Sequence, residues 1–534
     1  MNETEFNLID EPWIRVIDER CELCEISLKE AIINAHKYKA LKGELPTQDV
    51  AVMRLILAVL HTVISRYDKD GNASQLECSQ KAAVKRWKSY WDNKRFPQKA
   101  VEGYLEKWYE RFWLFHPERP FFQVANLKEG TKNSSAKLNG EISQSNNKIR
   151  IFSSYSGEEK KTISYSQAVR WLLHINGFDD IALKKYTEEK ISAKRGWLGQ
   201  LGLIDLIGRN LFETLMLNMV MVIDGAVQHD QNPIWEHEVI SSKERNLLAG
   251  IPNDLAELYT VQFRRILLQR DNNRVISYIE VVGDIFPDNI VIFEPMTVRM
   301  EVGKTEKTIV PKKHDPSMQM WRNFASLYNF ANDDKVKSGV IKWFYDISGF
   351  LPDVNYITTK ISSVMYDEKQ GASLPIINVF SDSLTMHSSI LAEIGEALRC
   401  DIELEIERCQ ELADEILELA KNLYIADGGS KDKKEQPWKD AAEQLYYRLD
   451  MPFRKWLYDI DPDSDENEIK AKWHKTARSI AIGYARELVN NASETAFVGR
   501  CIGEKKSKKI YSAPKAYSIF KSQVYKIYGK AGDK

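Results

Sequence analysis

Apolar residues recur at two spacings in the first part of the chain, and each spacing predicts a different kind of element. Between Val50 and Tyr67 they recur every three or four positions, which predicts a helix with a buried face. Between Phe6 and Ile26 they alternate with polar residues, which predicts a β-hairpin, and Ser27 is suited to cap the helix that follows. This part of the chain is therefore expected to mix strands and helices.

Further apolar runs predict the strands of one antiparallel sheet, with Asp271-Asn272-Asn273 as the turn between the first two. Helical patterns precede the sheet from Lys81 to Trp113, from Gln167 to Ile175, and in the mostly apolar stretch from Leu201 to Val222. Gly177 ends the second of these patterns and is expected in the left-handed conformation, which glycine adopts easily. The predicted strands are Val261–Leu268, Arg274–Val282, Ile290–Phe293 and Met296–Val302.

The segment from Asn126 to Arg150 has almost no periodicity and is rich in serine, asparagine and glycine. A loop of about 25 residues is long for a compact domain, and such loops are usually functional or disordered. Composition leaves both interpretations open. A second lysine-rich loop runs from Lys184 to Arg195. The basic residues of the first loop are Lys128, Lys132, Lys137, Lys148 and Arg150.

Beyond Asp382 the pattern becomes helical. One long amphipathic helix is predicted from Met386 to Tyr424, and three more follow at 437–458, 465–492 and 513–528. Four helices joined by polar connections are typical of an up-down bundle. We therefore predict an α+β protein. A large mixed α/β domain with an antiparallel sheet would cover residues 1–380, and a C-terminal four-helix bundle would cover residues 381–534.

Charge is separated within the predicted bundle, although the formal net charge of the whole chain is only -2. The long helix is acidic, whereas the last part of the chain carries a basic stripe interleaved with tyrosines. Such a stripe suits contact with a phosphate backbone, and the alternatives are pairing with the acidic helix or a solvated tail. The basic residues that we single out are Lys505, Lys506, Lys508, Lys509 and Lys515.

Composition narrows the class of protein. A net charge near zero argues against a free-standing DNA-binding domain but permits local contacts within a larger assembly. The lone Cys21-Cys24 pair lacks the further ligands of a zinc site. The polar N-terminus is unlike a signal peptide, and the most apolar run, Leu211–Ile223, is shorter than a membrane span. The sequence predicts a soluble, cytoplasmic protein with no metal, no cofactor and no membrane contact.

Catalytic motifs of the common nucleotide-binding, hydrolase and zinc-protease families are missing from the sequence. Two His-Asp pairs occur, His229-Asp230 and His314-Asp315, and such pairs contribute ligands to the metal sites of phosphohydrolases. Each pair lies beside a proline in turn-like sequence, and Asp315 is also suited to cap a helix. A metal-dependent nuclease is therefore an alternative function, and two turns are the alternative structural interpretation.

Seven motifs occur in the same order as in one known family, and together they span almost the whole chain. The motifs are FNLIDEPWIRV (6–16), FHPERPFFQV (115–124), NPIWE (232–236), LYTVQFRRILL (258–268), GDIFPDN (283–289), EPMT (294–297) and PKKHDPSMQMWRNF (311–324). The chain thereby resembles the large subunits of type I-E CRISPR Cascade complexes, the CasA family, which also end in a four-helix bundle.

This resemblance implies a function. Members of that family are not enzymes; they lie at one end of a complex that carries CRISPR RNA (crRNA). They recognise the protospacer-adjacent motif (PAM) in double-stranded DNA, begin strand separation, and provide the docking platform for the Cas helicase-nuclease. The partners implied for this chain are thus crRNA, the other Cascade subunits, double-stranded target DNA and the helicase-nuclease. A scaffold that only holds neighbouring subunits is the simpler alternative.

The resemblance also assigns candidate DNA-binding residues. The family's wedge pattern, a tyrosine followed by polar residues and Gln-Ala-Ser, resembles Tyr366–Ser373, with an extra glycine inserted. The minor-groove hairpin corresponds to Met296–Ile309, and the glycine-rich loop falls near Asn176–Asp180, with 194–196 contributing. The segment 126–150 is similar to the one that meets the crRNA handle. The candidates are Lys369, Gln370, Gly371 and Ala372 for the wedge, Arg299, Lys304 and Lys307 for the hairpin, and Gly177, Lys194 and Arg195 for the loop.

Overall fold

Short antiparallel strands and helices alternate through the first 144 residues. A computed structural model describes residues 4–144, 153, 155–180, 183–186, 189–192, 194–238, 252–286, 291, 293–303, 307–328, 337–367, 374–430, 438–462, 465–502 and 508–529. The first elements are β1 (Glu5–Asn7), β2 (Ile14–Asp18), β3 (Leu23–Ile26), α1 (Leu28–Ile33), β4 (Tyr38–Leu41), α2 (Pro46–Arg66), α3 (Gln80–Asn93), α4 (Gln98–Lys107), β5 (Trp113–Phe115), β6 (Thr131–Ser134) and α5 (Ser135–Leu138).

The predicted start of the chain is confirmed in its main features. Strands β2 and β3 pair antiparallel, and the Ser27 side chain accepts a hydrogen bond from the Glu30 backbone at the start of α1. Helix α2 is long and apolar enough to cross a membrane by composition, yet 94% of its apolar window is buried. A helix buried on nearly all sides is typical of a protein core, and α2 is the central helix of this one.

The middle of the chain contains the larger strand pairs. Its elements are α6 (Tyr165–Phe178), β7 (Leu183–Tyr186), β8 (Glu189–Ser192), β9 (Leu203–Ile207), α7 (Leu211–Leu217), β10 (Val222–Ile223), β11 (Ala226–Val227), α8 (Leu255–Thr260), β12 (Arg264–Asp271), β13 (Arg274–Val282), β14 (Arg299–Val302), β15 (Thr308–Pro311), α9 (Phe324–Leu327), α10 (Gly339–Ile347), β16 (Tyr356–Tyr366) and β17 (Ile376–His387). The predicted turn between β12 and β13 is confirmed, since Asn272 and Asn273 both have positive φ angles, as a tight hairpin turn requires.

The prediction of one sheet is wrong, because the strands belong to several small sheets. Strand β13 pairs with β12 on one side and with β6 on the other, whereas β14 pairs with β15 as a separate hairpin. Strand β16 lies between β17 and β9. The neighbours of a strand depend on long-range packing that local alternation does not encode.

Two further predictions in this region are also wrong. The stretch 201–222 forms strand β9 and helix α7, because Gly208 separates them and the Asn210 side chain caps the helix. A fully buried strand and a buried helix have similar apolar patterns, so periodicity does not distinguish them. Residues 126–144, expected as a loop without a core, contain β6 and α5, and Ser135 and Leu138 are buried.

The C-terminal helices form a four-helix bundle, as predicted. The elements are α11 (Glu396–Ala426), α12 (Asp440–Tyr458), α13 (Glu466–Asn490), α14 (Glu494–Val498), β18 (Arg500–Ile502), β19 (Lys509–Tyr511) and α15 (Ala513–Tyr528). Helix α11 packs against α12 and α15, and α13 packs against the same two helices. Helix α11 begins ten residues later than predicted, because β17 continues to His387 and short 3₁₀ turns follow it.

The chain forms two compact units. The first comprises Met1–Pro316, Ser326–Leu351 and Thr358–Ser383, and the second comprises Ser317–Ala325, Pro352–Ile357 and Leu384–Lys534. The α+β class with antiparallel sheets and C-terminal helices is confirmed. The predicted division into domains 1–380 and 381–534 stays a prediction.

Candidate nucleic-acid interface

The segment 368–373, which includes all four wedge candidates, lies outside the described residues, but both of its ends are well defined. Tyr366 is the last residue of β16, is only 4% exposed, and donates a hydrogen bond from its hydroxyl to the Phe178 carbonyl at 2.7 Å. The Asp367 backbone N–H donates to the Pro375 carbonyl at 2.9 Å. The segment therefore starts and ends on a fixed, hydrogen-bonded base.

Two cationic side chains face the Tyr366 ring. The Arg195 guanidinium lies 4.7 Å from the ring centroid, and the Lys313 ammonium lies 5.5 Å from it. Lys313 also donates to the Gly199 carbonyl at 3.0 Å. Burial raises the pKa of Tyr366, so the residue stays a neutral phenol at physiological pH. The geometry places the base of the wedge segment, the loop 194–200 and the end of the β14–β15 hairpin around one tyrosine.

Gly199 makes this arrangement possible. A Cβ atom at Gly199 would lie 1.9 Å from the Tyr366 hydroxyl, so any larger residue would displace the ring. Gly196 is equally confined, since its Cβ would lie 2.4 Å from the Gly177 carbonyl oxygen. Glycine at these two positions lets the loop approach helix α6 and Tyr366 closely.

Arg264 holds the start of the loop 194–200 by a hydrogen bond to its backbone. It is buried, and it donates to the Lys194 carbonyl at 2.8 Å and to the Asp180 carbonyl at 3.1 Å. Its Nε forms an ion pair with Asp179. Burial alone would lower the pKa of Arg264, but the neighbouring Asp179 carboxylate favours the charged guanidinium more strongly, so the pKa is raised. The exposed Lys194 and the half-buried Arg195 therefore project from a backbone that a buried ion pair fixes.

Gly177 has a different role from the predicted one. It lies inside α6, which continues to Phe178, and its φ angle is not positive, so the predicted left-handed helix end is wrong. A Cβ at Gly177 would lie 2.7 Å from a methyl carbon of Leu198. Gly177 is buried and serves close packing against the loop rather than presenting its backbone to a ligand.

The three hairpin candidates differ in how accessible their side chains are to a ligand. Arg299 is buried and donates to the Glu294 carbonyl at 3.0 Å, so its guanidinium has no access to a DNA groove in this conformation. The Lys307 side chain is 68% exposed and pairs with Glu301 at 2.9 Å. Lys304 lies outside the described residues. Among the described hairpin residues, Lys307 is the cation that a groove could reach.

The other predicted basic residues have different surroundings. Lys128 and Lys132 are exposed, whereas Lys137 forms a largely buried ion pair with Asp180 at 2.8 Å and is occupied within the fold. Lys508, Lys509 and Lys515 are exposed on β19 and α15 and in the residue before β19. The remaining candidates, Lys148, Arg150, Lys505 and Lys506, lie outside the described residues.

The two His-Asp pairs have different surroundings. The His229 ring lies 3.5 Å from Asp230, on the surface. His314 is enclosed, and its Nε2 donates to the Leu203 carbonyl at 2.8 Å. Across the part of the chain that the structure describes, no group of three or more His, Cys, Asp or Glu residues is arranged to hold a metal ion.

His314 predicts a pH dependence of stability. Burial lowers the pKa of His314 to about 4 from an ordinary value of 6.5, so the folded protein keeps the ring neutral while the unfolded chain protonates. The unfolding free energy should therefore fall as the pH drops from 6.5 toward 4, by roughly 3 kcal/mol from this residue. Urea denaturation of the wild type and of His314→Gln at pH 7 and pH 4.5 measures it. Parallel pH profiles for the two proteins would contradict the assignment.

The sequence alone did not identify several residues that organise this site. Lys313 and Arg264 appear in the sequence analysis only as parts of longer motifs, and Gly199 carries no signal for its role. An arginine in an otherwise apolar strand is a usable signal, because buried charges are rare without a partner. The contact between Gly199 and Tyr366 has no local signature, since 167 positions separate the two residues.

Comparisons with known proteins point to one family. A sequence model of the family described as CRISPR-associated protein Cse1 matches residues 7–484. The chain is 26% identical over 533 residues to the CRISPR-associated protein CasA/Cse1 of Thermus thermophilus, covering 93% of this chain and 97% of that protein.

Solved structures agree with the sequence comparison. The crystal structure of Thermobifida fusca Cse1 matches with a TM-score of 0.81 and 26% identity, and the match covers 98% of both chains. A chain from a structure described as a CRISPR RNA-guided surveillance complex matches with a TM-score of 0.72 over 98% of this chain and 100% of that one. Its identity is 17%, so this second likeness concerns the fold alone.

Proposed function

The chain belongs to the CRISPR-associated Cse1 (CasA) family, and from this we propose that it is the non-catalytic large subunit of a type I-E Cascade complex. In this role it recognises the PAM in double-stranded DNA through the minor groove, starts unwinding with a glutamine wedge, and docks the Cas helicase-nuclease. The crRNA-guided complex would act in the cytoplasm.

One observation supports the PAM-reading role above the others. Three segments that the sequence suggested separately meet at Tyr366: the base of the wedge segment, the loop with Arg195, and the chain that leaves the β14–β15 hairpin at Lys313. A reader of duplex DNA needs such convergence, because a groove probe and a strand-separating residue must act on neighbouring base pairs.

The residue types suit this chemistry. The minor groove presents mainly acceptors, adenine N3 and thymine O2, so a lysine such as Lys307 is an appropriate donor. Readout in this groove is degenerate, and several related motifs should therefore be accepted. Guide RNA pairing then replaces DNA pairing in a nearly balanced exchange, so the subunit needs to supply only the first opening. A protein of low net charge can do this.

The remaining basic residues are proposed to contact crRNA, neighbouring subunits or the DNA backbone. Exposed Lys128 and Lys132 belong to the segment that we assign to crRNA and neighbouring subunits, together with Lys148 and Arg150. The C-terminal stripe that includes Lys508, Lys509 and Lys515 is exposed and suits a DNA backbone. Lys137 is the exception, because Asp180 already pairs with it.

Lys307→Ala tests the hairpin assignment. The assembled complex with this variant should bind a PAM-containing duplex about tenfold more weakly, and the slope of log affinity against log salt should fall by about one, because one cation leaves the DNA. Filter binding or interferometry at several salt concentrations measures both. Lys69→Ala, an exposed lysine that pairs with Asp70, is the matched control.

The scaffold alternative predicts a different result. Binding would then show no motif preference that depends on the hairpin or on the wedge candidates. A selection from a library of randomised PAM sequences decides between the two. The scaffold function would be favoured if the complex bound all PAM sequences of the library equally. It would also be favoured if the preference were unchanged in the triple variant Lys307→Ala, Lys369→Ala and Gln370→Ala.

A further inference from the structure

A single buried carboxylate connects three elements of the first unit. Glu294 has no exposed surface, and its two oxygens accept hydrogen bonds from both terminal nitrogens of Arg54 at 2.8 and 3.0 Å. The Trp197 indole N–H donates to the same carboxylate at 2.8 Å, and the Met296 backbone N–H donates to it at 3.1 Å. Four donors from three separate segments satisfy this carboxylate, which is how a buried charge is tolerated.

Two of the three segments, the loop 194–200 and the hairpin chain, are ones that the proposed site needs to align, and the third is the core helix. Arg54 belongs to the core helix α2, and Trp197 follows Arg195 by two residues in the loop 194–200. Met296 begins the chain that forms the β14–β15 hairpin. The Glu294 carbonyl also accepts a hydrogen bond from Arg299, the first residue of β14.

The hairpin stem is also held by backbone hydrogen bonds to residues 202–204. The Met296 carbonyl accepts from the Ile204 N–H at 3.2 Å, and the Val298 N–H donates to the Gly202 carbonyl at 2.8 Å. Residues 202–204 lead directly out of the loop 194–200. The loop and the hairpin stem are therefore tied to each other by backbone pairing and tied to the core by one carboxylate.

We propose that Glu294 is a positioning residue, which holds the loop with Arg195 and the hairpin with Lys307 in the relative placement that motif recognition requires. This inference rests on the proposed function. Glu294 itself does not touch DNA, since it is fully buried. A charge that contacts donors from three segments resists displacement of any one of them, because each movement leaves a buried charged group short of a partner.

The test uses two variants, each with a matched control. Glu294→Gln removes the charge, and Trp197→Phe removes the indole donor while keeping a smaller aromatic ring. Glu236→Gln is the control for Glu294→Gln, because Glu236 is also held by an arginine and an aromatic donor. It accepts two hydrogen bonds of 2.9 Å from Arg66 and one of 2.6 Å from the Tyr104 hydroxyl. Trp235→Phe is the control for the second, because the buried Trp235 indole donates to Tyr104 at 2.8 Å.

Two readouts separate positioning from stability. Hydrogen exchange on the full chain should accelerate about tenfold in residues 296–303 and 194–200 for Glu294→Gln and Trp197→Phe, and not for the controls. In the assembled complex, the ratio of affinities for duplexes with and without the PAM should fall about tenfold for the same two variants. The controls should lower the melting temperature comparably and leave the ratio unchanged.

The outcomes are distinguishable. Unchanged exchange in 296–303 for both variants overturns the positioning role, and so does faster exchange with an intact affinity ratio. If Glu294→Gln fails to fold, Trp197→Phe alone decides. If the unaltered complex shows no motif preference, the proposed function fails, and faster exchange then still establishes that Glu294 holds the two segments together.

Discussion

Gln370→Ala is expected to weaken binding of the assembled complex to a fully paired target by about tenfold to a hundredfold, while binding to a target already opened beside the PAM stays nearly unchanged. Unstacking a base step costs a few kcal/mol, and a wedge residue offsets this through contacts with the opened strands. A pre-opened target does not require that step. Titration of the variant complex against the two targets measures the difference.

Equal loss on both targets would contradict the wedge role of Gln370. Lys369→Ala is the informative companion, because a lysine that contacts phosphate should lower affinity on both targets and reduce the salt dependence. Deleting Gly371, the residue inserted relative to the family pattern, tests whether the tip tolerates a change of length. A variant set in which only Lys369→Ala discriminates between the targets would reassign the wedge to Lys369.

Arg264→Ala is expected to lower the unfolding free energy by about 3–5 kcal/mol, the largest stability effect that we predict. The substitution leaves Asp179 buried without its ion-pair partner, and it removes the donors to the carbonyls of Asp180 and Lys194. Urea denaturation followed by tryptophan fluorescence measures the change.

The control for Arg264 is an exposed pair of the same chemistry. The Arg448 guanidinium pairs with Glu487 at 2.7 Å, and both side chains are exposed, so Arg448→Ala should cost only about 1 kcal/mol or less. The double variant Asp179→Ala with Arg264→Ala should lose less than the sum of the single losses, because the two residues share one interaction. Similar losses for Arg264→Ala and Arg448→Ala would contradict the account.

Elements that local sequence specifies were predicted well. The Ser27 cap, the helix around Val50–Tyr67 and the turn at Asn272-Asn273 depend on residues close together in the chain. The bundle helices were recognised because amphipathic periodicity over more than fifteen residues is a strong signal. These features need no knowledge of distant partners.

Features that depend on distant partners were missed or misplaced. Strand β6 was expected to be a loop, because it is stabilised by pairing with β13 some 145 residues away and not by an apolar alternation of its own. Arg299 was a plausible DNA contact by charge and position, yet the fold uses its guanidinium internally. Charge alone does not tell a buried structural arginine from a surface one.

The candidate site shows the same division. The family resemblance pointed to the segments that contain Arg195, Lys307 and Gln370, and their roles in DNA binding stay predictions. It did not show that the base of the wedge segment, the loop with Arg195 and the chain at Lys313 meet at Tyr366, because that requires the hydroxyl contact to Phe178 and the absence of a side chain at Gly199. Convergence in three dimensions is the part that only the structure supplies.

The hydrogen-bonded base of the wedge segment has a consequence for changes in the length of that segment. The backbone hydrogen bond from Asp367 to Pro375 joins the two ends of the segment. The hydroxyl of Tyr366, the residue before Asp367, holds the first end against helix α6. We therefore expect insertions and deletions between Asp367 and Pro375 to leave the core unchanged, because these contacts fix both ends of the segment independently of its length. If the proposed wedge role is right, adding or removing a residue such as Gly371 should then change the length of the probe without disturbing the core, and the deletion of Gly371 tests this expectation.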